Sequence, residues 1–395
     1  MENKNRISRN VKTMGWASFF NDIASEMIAP LVPIFLTTVL GAPVAIVGLI
    51  EGIADSTSSI LRVISGWLSD KFKKRKIFVV VGYSLSTLGK FLLSLAVVWP
   101  LVLFARFLDK FGKGTRTSAR DALITESSEV ENRGRSFGFH RMMDTLGAVF
   151  GPILALLLLT IFNNNFRSVF LLAVIPAIAG IIILVLFVKE TKNNHSNGLI
   201  LKKIHWRNLS PSFKIFLIIS IIFALGNSSE AFLVLRARSF GLSVILVIFA
   251  YTLFNIFYAL FSYPAGILSD KIGQRKILFI SFLWFGVVYL LFGLINRSFY
   301  IWLLFPLYGI FMALNEGVGK AYISNLVPSE QSGTAFGIYQ TSIGLCAFFA
   351  SWWAGLLWVY IGVRAPFVFG STLALIAAVS FLFLEKTKKL VPSNK

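Results

Sequence analysis

The 395-residue sequence has very few of the residues that form disulfide frameworks or metal sites. It contains one cysteine, Cys346, and three histidines, His140, His195 and His205. One cysteine cannot form an internal disulfide, and the histidines lack the spacing of metal ligands. The phosphate-binding pattern G-x-x-x-x-G-K-[ST] is also absent, which argues against the use of ATP by this chain. We therefore predict that the protein is not an enzyme and has no metal and no cofactor.

Charged residues are scarce as well, at 14% of the sequence, whereas hydrophobic residues reach 56% and include 39 phenylalanines. A soluble domain carries roughly 25% charged residues. Apolar runs recur along the whole chain, each of about 20 residues and long enough to cross a hydrocarbon layer about 30 Å thick. The alternative, a soluble protein with very apolar core helices, requires shorter runs separated by polar residues. The composition therefore predicts an integral membrane protein in contact with the lipid bilayer.

Acids are the rarer charged type, because 18 Asp and Glu stand against 38 Lys and Arg and give a net charge of +20. Such an excess can indicate a nucleic-acid partner, but here the bases cluster in alternate loops. They lie in the N-terminal arm, the segments 71–76 and 271–276, the central loop and the tail, whereas the loops between carry isolated bases. Because basic loops stay on the cytoplasmic side, we predict a plasma (inner) membrane protein with both termini in the cytoplasm and no nucleic-acid partner.

Two internal repeats indicate a duplicated chain. The segment Gly66–Lys76 returns as Gly266–Lys276 at an offset of 200 residues, and each copy is a small-residue turn with one acid and several bases. The segment Gly134–Gly138 returns as Gly333–Gly337 at an offset of 199. Two repeats in the same order, at nearly equal offsets, predict parallel halves related by an axis along the membrane normal.

The predicted fold is all-α and integral to the membrane, with twelve transmembrane helices in two six-helix pseudo-symmetric bundles. The first helix is expected to run over 15–40 and the seventh over 213–237. We predict a cytoplasmic N-terminal arm at 1–14, a first bundle at 15–188, a cytoplasmic central loop at 189–212, a second bundle at 213–385 and a cytoplasmic tail at 386–395.

The repeated turn resembles the loop signature of the major facilitator superfamily, G-x-L-x-D-[RK]-x-G-[RK]-[RK]. The second copy has Gly273 at the signature's second glycine, whereas the first copy has Lys73 there. The resemblance covers essentially the whole chain. It implies the twelve-helix fold and a secondary transporter that works by alternating access between its two halves.

Two further features resemble this superfamily. Arg106 occupies the position of its membrane-embedded arginine, for which the resemblance implies a role in coupling. Gly147, Gly151 and Pro152 resemble the G-x-x-x-G-P core of the drug/proton antiporter motif, although small residues and proline also serve plain helix packing. These features point to a prokaryotic branch that resembles the drug/proton antiporters.

Ionisable residues inside the predicted spans are the candidate coupling sites, since a charge in the membrane costs a few kcal/mol. Asp22 and Glu26 lie four apart and share a face of the first helix. Glu51, Asp55 and Arg62 belong to a polar stripe on the second helix, which needs a water-filled pathway or a charged partner. The stripe is interpreted as a site for protons or substrate, with a structural ion-pair network as the alternative.

Two more charged positions complete this group. The acid that pairs with Arg106 is expected to be Asp22, Glu26 or Asp55. Asp144 lies four residues after His140 on the fifth helix, and the two residues either titrate together or only fix helix packing at the cytoplasmic end.

The second half lacks acidic counterparts to the second-helix acids. We therefore expect the first half to handle protons and the second half to offer neutral hydrogen bonds and aromatic surface to a substrate. The predicted substrate-cavity residues are Asn21, Asn227, Glu230, Tyr251, Asn255, Asn315, Glu316 and Gln340.

The repeated turns are expected to close the cytoplasmic side. Asp70 and Asp270 are predicted to accept hydrogen bonds from a helix N-terminus of the opposite half. Arg75 is predicted to pair with Asp121 at the end of the fourth helix. The predicted cytoplasmic gate comprises Gly66, Asp70, Arg75, Asp121, Gly266, Asp270 and Arg275.

The functional prediction is proton-coupled export of a small amphipathic or drug-like molecule by a monomer. Proton-coupled uptake of a metabolite or siderophore, a lipid flippase and a non-transporting membrane sensor are the alternatives. The intramembrane acids suit a cationic substrate, whereas the intramembrane bases Arg62, Lys90, Arg106 and Lys320 equally suit an anionic one.

Overall fold

The computed structural model describes residues 7–72, 74–129, 132–190, 209–327 and 332–383. Helices dominate these ranges, and no strand occurs within them. The side chains of Asp70, Asp270 and Lys320 lie outside the described part, so the roles predicted for them stay predictions. The helices are α1 (Arg9–Ile28), α2 (Leu31–Ile34), α3 (Val44–Phe72), α4 (Arg75–Ser94), α5 (Trp99–Glu126), α6 (Arg133–Ile161), α7 (Phe166–Phe187), α8 (Pro211–Gly226), α9 (Ala231–Ser239), α10 (Val244–Ile272), α11 (Gln274–Leu294), α12 (Ile301–Leu326), α13 (Ser332–Tyr360) and α14 (Ala365–Phe383).

These helices form twelve spans within the described ranges, which confirms the predicted fold class. The pairs α1–α2 and α8–α9 each make up one span, and every other span is one helix. Ten spans are long and apolar enough to cross a membrane, and Ala365–Phe381 is a shorter apolar helix. The remaining span, α5, has 28 residues but carries six ionisable side chains between Arg106 and Arg120.

The first span differs from its predicted bounds at both ends. It begins at Arg9 and not at residue 15, because the Ser8 side chain accepts a hydrogen bond from Val11 N and caps the helix. The regular helix ends at Ile28, before Pro30, and the span continues through α2 into one π-helical turn, Phe35–Val39. Proline has no N–H to donate to the preceding turn, which explains the break.

The seventh span is also broken, and its predicted continuity over 213–237 is wrong. The backbone leaves the helix between Gly226 and Ala231. Ser229 N donates to Ser351 Oγ over 3.1 Å, so a neighbouring helix satisfies a backbone group that the break releases. A membrane helix tolerates such a break when side chains supply the missing hydrogen bonds.

The described residues form two compact units. The first contains α1, α2 and α4–α7, together with α3 from Ile53 onward and the first turns of α10, residues 243–252. The second contains α8, α9 and α11–α14, together with residues 44–52 of α3 and α10 from Leu253 onward. The two long helices α3 and α10 therefore each contribute a segment to both units.

Glycines bring the helices of the first unit into close contact. The backbones of α4 and α5 approach so closely that a Cβ on Gly112 would lie 2.3 Å from the Gly82 carbonyl oxygen. A Cβ on Gly180 of α7 would lie 3.0 Å from the Ala17 carbonyl oxygen of α1. Small residues allow this packing, which replaces the hydrophobic effect as the driving force between membrane helices.

Aromatic rings fill the core of the second unit. Phe223 of α8 stacks on Phe282 of α11 with 3.9 Å between ring centroids, and Tyr289 stacks on Phe285 at 4.3 Å. Ser228, in the break between α8 and α9, shares a 2.7 Å hydrogen bond with the Tyr289 hydroxyl. The break is therefore tied directly to the aromatic core.

Candidate functional site

The carboxylates Asp22 and Glu26 of α1 lie against the glycines of α6. A Cβ on Gly147 would lie 2.9 Å from the Asp22 Cβ, and a Cβ on Gly151 would lie 2.7 Å from the Glu26 Cβ. The two glycines thus form the surface on which the acidic face of α1 packs. Pro152 follows them inside α6. In this structure the predicted antiporter-like motif packs α6 against α1, directly beside the coupling candidates Asp22 and Glu26.

Neither α1 carboxylate makes an ion pair with a base in the described part of the chain. Glu26 Oε2 accepts a hydrogen bond from the Tyr251 hydroxyl at 3.1 Å, and Asp22 Oδ1 lies 3.4 Å from Asn21 Nδ2. Within the described ranges, no Lys, Arg or His nitrogen makes an ion pair with Asp22 or Glu26. Asn21 is itself buried, and its Oδ1 has no hydrogen-bond partner in the described part of the chain.

Asp55 on α3, in contrast, is paired with a base. Its Oδ1 lies 2.7 Å from Lys110 Nζ on α5. The stripe beyond it also packs on α5, because the Ser118 hydroxyl donates to the Arg62 carbonyl over 2.7 Å and the Ser65 hydroxyl donates to the Gly114 carbonyl over 3.0 Å. At Asp55 the polar stripe of α3 therefore has a charged partner, as in the structural ion-pair network that the sequence left as the alternative.

Glu51, at the other end of that stripe, belongs to the second unit. It is buried, and it lies between two glycines that contact α13. A Cβ on Gly48 would lie 2.2 Å from the Ser351 carbonyl oxygen, and a Cβ on Gly52 would lie 2.8 Å from that of Phe348. The predicted stripe is thus divided, with Glu51 in one unit and Asp55 in the other.

Arg106 pairs with an acid of its own helix. Its Nη1 lies 3.7 Å from Asp109 Oδ2, one turn along α5. Within the described residues it makes no ion pair with Asp22, Glu26 or Asp55.

 Asp109 also accepts a hydrogen bond from Lys90 Nζ of α4 over 2.8 Å, and the Lys90 side chain is only 2% exposed. The acid in ion-pair contact with Arg106 is therefore Asp109 of α5, whereas the charge of Arg106 acts on Glu26 and Asp55 from a greater distance.

Asp144 of α6 is connected to α1. It accepts a hydrogen bond from the Ser18 hydroxyl, and its Oδ1 lies 3.9 Å from Nδ1 of the buried His140. Ser18 precedes Asp22 by four residues, so both face α6. This geometry gives Asp144 a contact in the same helix interface as the α1 carboxylates.

The polar residues predicted for the substrate cavity are distributed over several helices. Tyr258 donates a hydrogen bond from α10 to Glu316 of α12. Tyr251 belongs to the first unit, where it contacts Glu26. Asn255 is buried on α10, and its Nδ2 has no partner within the described residues. The other predicted members are Asn227 and Glu230 in the break between α8 and α9, Asn315 on α12 and Gln340 on α13.

The first copy of the repeated turn is held by acids other than the predicted one. Arg75 Nε lies 2.7 Å from Glu126 Oε1, while Asp121 accepts hydrogen bonds from the neighbouring Arg120. The predicted Arg75–Asp121 pair is therefore wrong, since the side chain of Glu126, more than one turn further along α5, reaches Arg75. A Cβ on Gly66 in the same turn would lie 3.1 Å from the Ser118 Cβ.

The carboxylate of Glu190 caps a helix N-terminus at this turn. Its Oε1 accepts a hydrogen bond from Arg75 N over 2.8 Å, and its Oε2 accepts one from Lys76 N over 3.0 Å. These are the first N–H groups of α4, which have no partner within the helix and favour an anion. The sequence offers no local signal for this contact, because 114 or more residues separate its members.

The second copy of the turn is held differently. Arg275 Nη2 donates to the Phe381 carbonyl oxygen of α14 over 2.6 Å, so a backbone acceptor replaces the acid. Gly273 has φ +97°, a region that favours glycine. A Cβ on Gly266 would meet no atom within 4 Å. The two copies therefore share a sequence pattern but not their contacts.

The family model of the Major Facilitator Superfamily matches this sequence twice, over residues 14–236 and 215–395. The chain belongs to the major facilitator superfamily. It is accordingly a multi-pass membrane protein and a secondary transporter. Within the described residues, no three His, Cys, Asp or Glu side chains are grouped as they would be around a metal ion.

Relatives of this superfamily member include two prokaryotic proteins that match it over nearly their full length. An uncharacterized MFS-type transporter of Methanocaldococcus jannaschii is 41% identical over 391 residues, which cover 97% of this chain and 96% of the relative. An uncharacterized protein of Mycobacterium tuberculosis is 23% identical over 394 residues, or 98% and 95% of the two chains.

Solved structures share the fold at low sequence identity. A POT family transporter in complex with 5-aminolevulinic acid has a TM-score of 0.79 at 15% identity, covering 98% of this chain and 97% of that one. A bacterial homologue of the human lysosomal transporter Spinster, inward-facing and occupied, has a TM-score of 0.77 at 16% identity and 98% coverage of both chains. The nucleoside transporter NupG has a TM-score of 0.74 at 13% identity, covering 95% and 99%.

Proposed function

We propose that this superfamily member is a proton-coupled exporter of a small amphipathic or drug-like molecule, in which Glu26 and Asp22 of α1 bind the coupling proton. The observation that carries the proposal is the difference between the acids of the first unit. Asp55 and Asp109 each have a lysine nitrogen within 2.8 Å, whereas Asp22 and Glu26 have no ion-pair partner within the described residues.

This difference has a direct chemical consequence. A carboxylate in an apolar surrounding needs neutralisation, either by a base held against it or by a proton. Lysine neutralises Asp55 and Asp109 without any exchange with water. For Glu26 and Asp22 the neutralising partner is a proton, which a transporter can take up on one side and release on the other.

The Tyr251 hydroxyl suits such a cycle at Glu26. A phenol both donates and accepts hydrogen bonds, so it can donate to the ionised carboxylate and accept from the protonated one. The contact at 3.1 Å therefore supports both protonation states, which an ammonium group cannot do. Tyr251 is therefore the residue whose hydrogen bond changes direction with the protonation state of Glu26.

The direction and class of substrate rest on the antiporter-like pattern of α6. Gly147 and Gly151 hold α1 at the level of its two carboxylates, so the pattern and the proposed proton site form one unit of structure. In export, protons that enter down their gradient bind at this site and drive the compound outward. Proton-coupled uptake of a metabolite is the second candidate, because the same carboxylates serve either direction.

The test is proton movement in proteoliposomes that contain the purified protein and a pH-sensitive dye. A panel of amphipathic cations, anions and zwitterions is added, and the compound that moves protons identifies both substrate and direction. Glu26→Gln and Asp22→Asn are expected to lose compound-driven proton movement while keeping exchange of the compound down its own gradient. Glu129→Gln is the matched control, because Glu129 is an exposed carboxylate between α5 and α6.

Three results would contradict the proposal. The first is unchanged proton movement in both α1 variants. The second is an equal loss in Glu129→Gln. The third is transport by the wild-type protein that is independent of any proton gradient.

A further inference from the structure

A cavity lies at one end of the second unit, and none of its lining residues belongs to the proposed proton site. It has a volume of about 660 Å³ and is lined by α9, by the ends of α13 and α14 and by the turn between them. Its charged lining residues are Arg236 and Arg364, and its apolar walls include Leu357, Ile361 and Val368. From the α10–α11 turn onward, α11, α12 and α13 each cross the second unit once. The α13–α14 turn therefore lies at the end of the unit opposite the α10–α11 turn.

Arg236 supplies a fixed positive charge beneath this cavity. It is 5% exposed, and its guanidinium donates to the Phe292 and Ile295 carbonyl oxygens over 2.8 and 2.9 Å. The Phe240 ring lies 4.4 Å from the guanidinium carbon. These contacts satisfy the hydrogen bonds of Arg236 with neutral groups and cap the end of α11, so they leave its charge without compensation.

Arg364 adds a second charge at the rim of the cavity. It is exposed, and it repels the guanidinium of Arg236. Within the described part of the chain, neither arginine makes an ion pair with an Asp or Glu side chain. Two positive charges that share one cavity without an acid are complementary to an anion.

The apolar surroundings of the cavity identify what kind of anion it binds. Val368, in its wall, is 40% exposed, and the same helix presents Ile376 and Val379 at 48% and 52%. In a membrane protein such exposed apolar side chains face lipid tails. Tyr360 at the end of α13 is 81% exposed, as expected for an aromatic side chain at the level of the lipid headgroups.

We propose that this cavity binds the headgroup of an anionic phospholipid. The phosphate lies between Arg364 and the charge of Arg236, and an acyl chain follows Val368 along α14. The exposed apolar side chains beside the cavity favour a lipid headgroup over a dissolved ion as the bound anion. Basic pockets between the helices of other membrane proteins bind anionic lipid headgroups.

The test compares lipids that differ in headgroup charge. The full-length protein is delipidated in detergent, and binding of phosphatidylglycerol, phosphatidylcholine and inorganic phosphate is measured by native mass spectrometry. We expect the wild-type protein to retain phosphatidylglycerol in preference to phosphatidylcholine, with no effect of inorganic phosphate. Arg364→Ala is expected to weaken the retention of phosphatidylglycerol about fivefold, since one exposed ion pair contributes up to about 1 kcal/mol.

Two further variants complete the design. Arg364→Lys keeps the charge and is expected to retain most of the binding. Arg297→Ala removes another exposed arginine, between α11 and α12, that does not line the cavity, and it is expected to leave binding unchanged. Equal retention of the two lipids, an undiminished affinity in Arg364→Ala, an equal loss in Arg297→Ala, or displacement of lipid by inorganic phosphate would each overturn the proposal.

Discussion

Tyr251 of α10 donates a hydrogen bond to Glu26 of α1 over 3.1 Å, across 225 residues of sequence. The same helix makes a second contact of this type seven residues later, where Tyr258 donates to Glu316. One helix therefore holds two tyrosine–glutamate pairs. The first pair lies in the first unit and the second pair in the second unit.

The two tyrosines allow a matched test of the proposed proton site. Tyr251→Phe removes one hydrogen bond to a carboxylate, worth about 1.5 kcal/mol, and we expect proton-driven accumulation in vesicles to fall roughly tenfold. Tyr258→Phe removes the equivalent bond at Glu316 and is expected to leave the dependence on the proton gradient unchanged. Equal dependence on the gradient in both variants would remove Tyr251 from the coupling site.

A buried ion pair joins α4 to α5. Lys90→Met leaves Asp109 buried without its 2.8 Å partner, and removing one member of a buried pair costs about 3 kcal/mol. We expect a clearly lower midpoint of thermal unfolding in detergent. Lys12→Met is the control, because Lys12 is an exposed lysine of α1 that makes no ion pair within the described residues. Similar midpoints for the two variants would show that the Lys90–Asp109 contact contributes little to stability.

The glycines of α6 can be tested one at a time. Gly151→Ala places a Cβ 2.7 Å from the Glu26 Cβ, so α1 and α6 have to separate, and overpacking of this kind costs about 1 to 3 kcal/mol. Gly138→Ala lies on the same helix and meets no atom within 4 Å. We expect a lower unfolding midpoint for Gly151→Ala alone. A similar midpoint for both alanine variants would argue against close α1–α6 packing.

Much of the fold could be predicted from the sequence because its signals are local. Apolar length, basic loops and turn residues are properties of short segments, so the spans and their number follow from them. The interruptions were harder to predict. Pro30 gives a local reason for the end of α1, but the break after Gly226 depends on Ser351, which lies on a helix more than 100 residues away.

The same distinction applies to the candidate site. Spacing correctly placed Asp22 and Glu26 on one face of α1, and both contact α6. Pairing between helices was not predictable, because it depends on the rotation of each helix about its axis. The partners Lys110 of Asp55 and Glu126 of Arg75 carry no pattern in the sequence that distinguishes them from neighbouring charged residues.

The Arg75–Glu126 pair predicts a difference between two acids of α5. Glu126→Gln removes the carboxylate that lies 2.7 Å from Arg75, a side chain that is 10% exposed. Asp121→Asn removes only the contact with the adjacent Arg120. We expect Glu126→Gln to lower the unfolding midpoint by an amount that corresponds to about 1 to 2 kcal/mol, and Asp121→Asn to have less effect. The reverse order would restore the Arg75–Asp121 pairing that the sequence suggested.

The two copies of the repeated turn predict different tolerance to the same substitution. Gly273 has φ +97°, so Gly273→Ala forces a side chain into a backbone region that costs about 1 to 3 kcal/mol for residues other than glycine. Gly266→Ala changes a helical position where a Cβ meets no atom within 4 Å, and alanine favours helix over glycine by about 1 kcal/mol. We therefore expect a lower unfolding midpoint for Gly273→Ala and an unchanged or higher one for Gly266→Ala. Equal midpoints would mean that the turn relaxes to a negative φ at little cost, and the glycine that the second copy retains would then need an explanation other than backbone conformation.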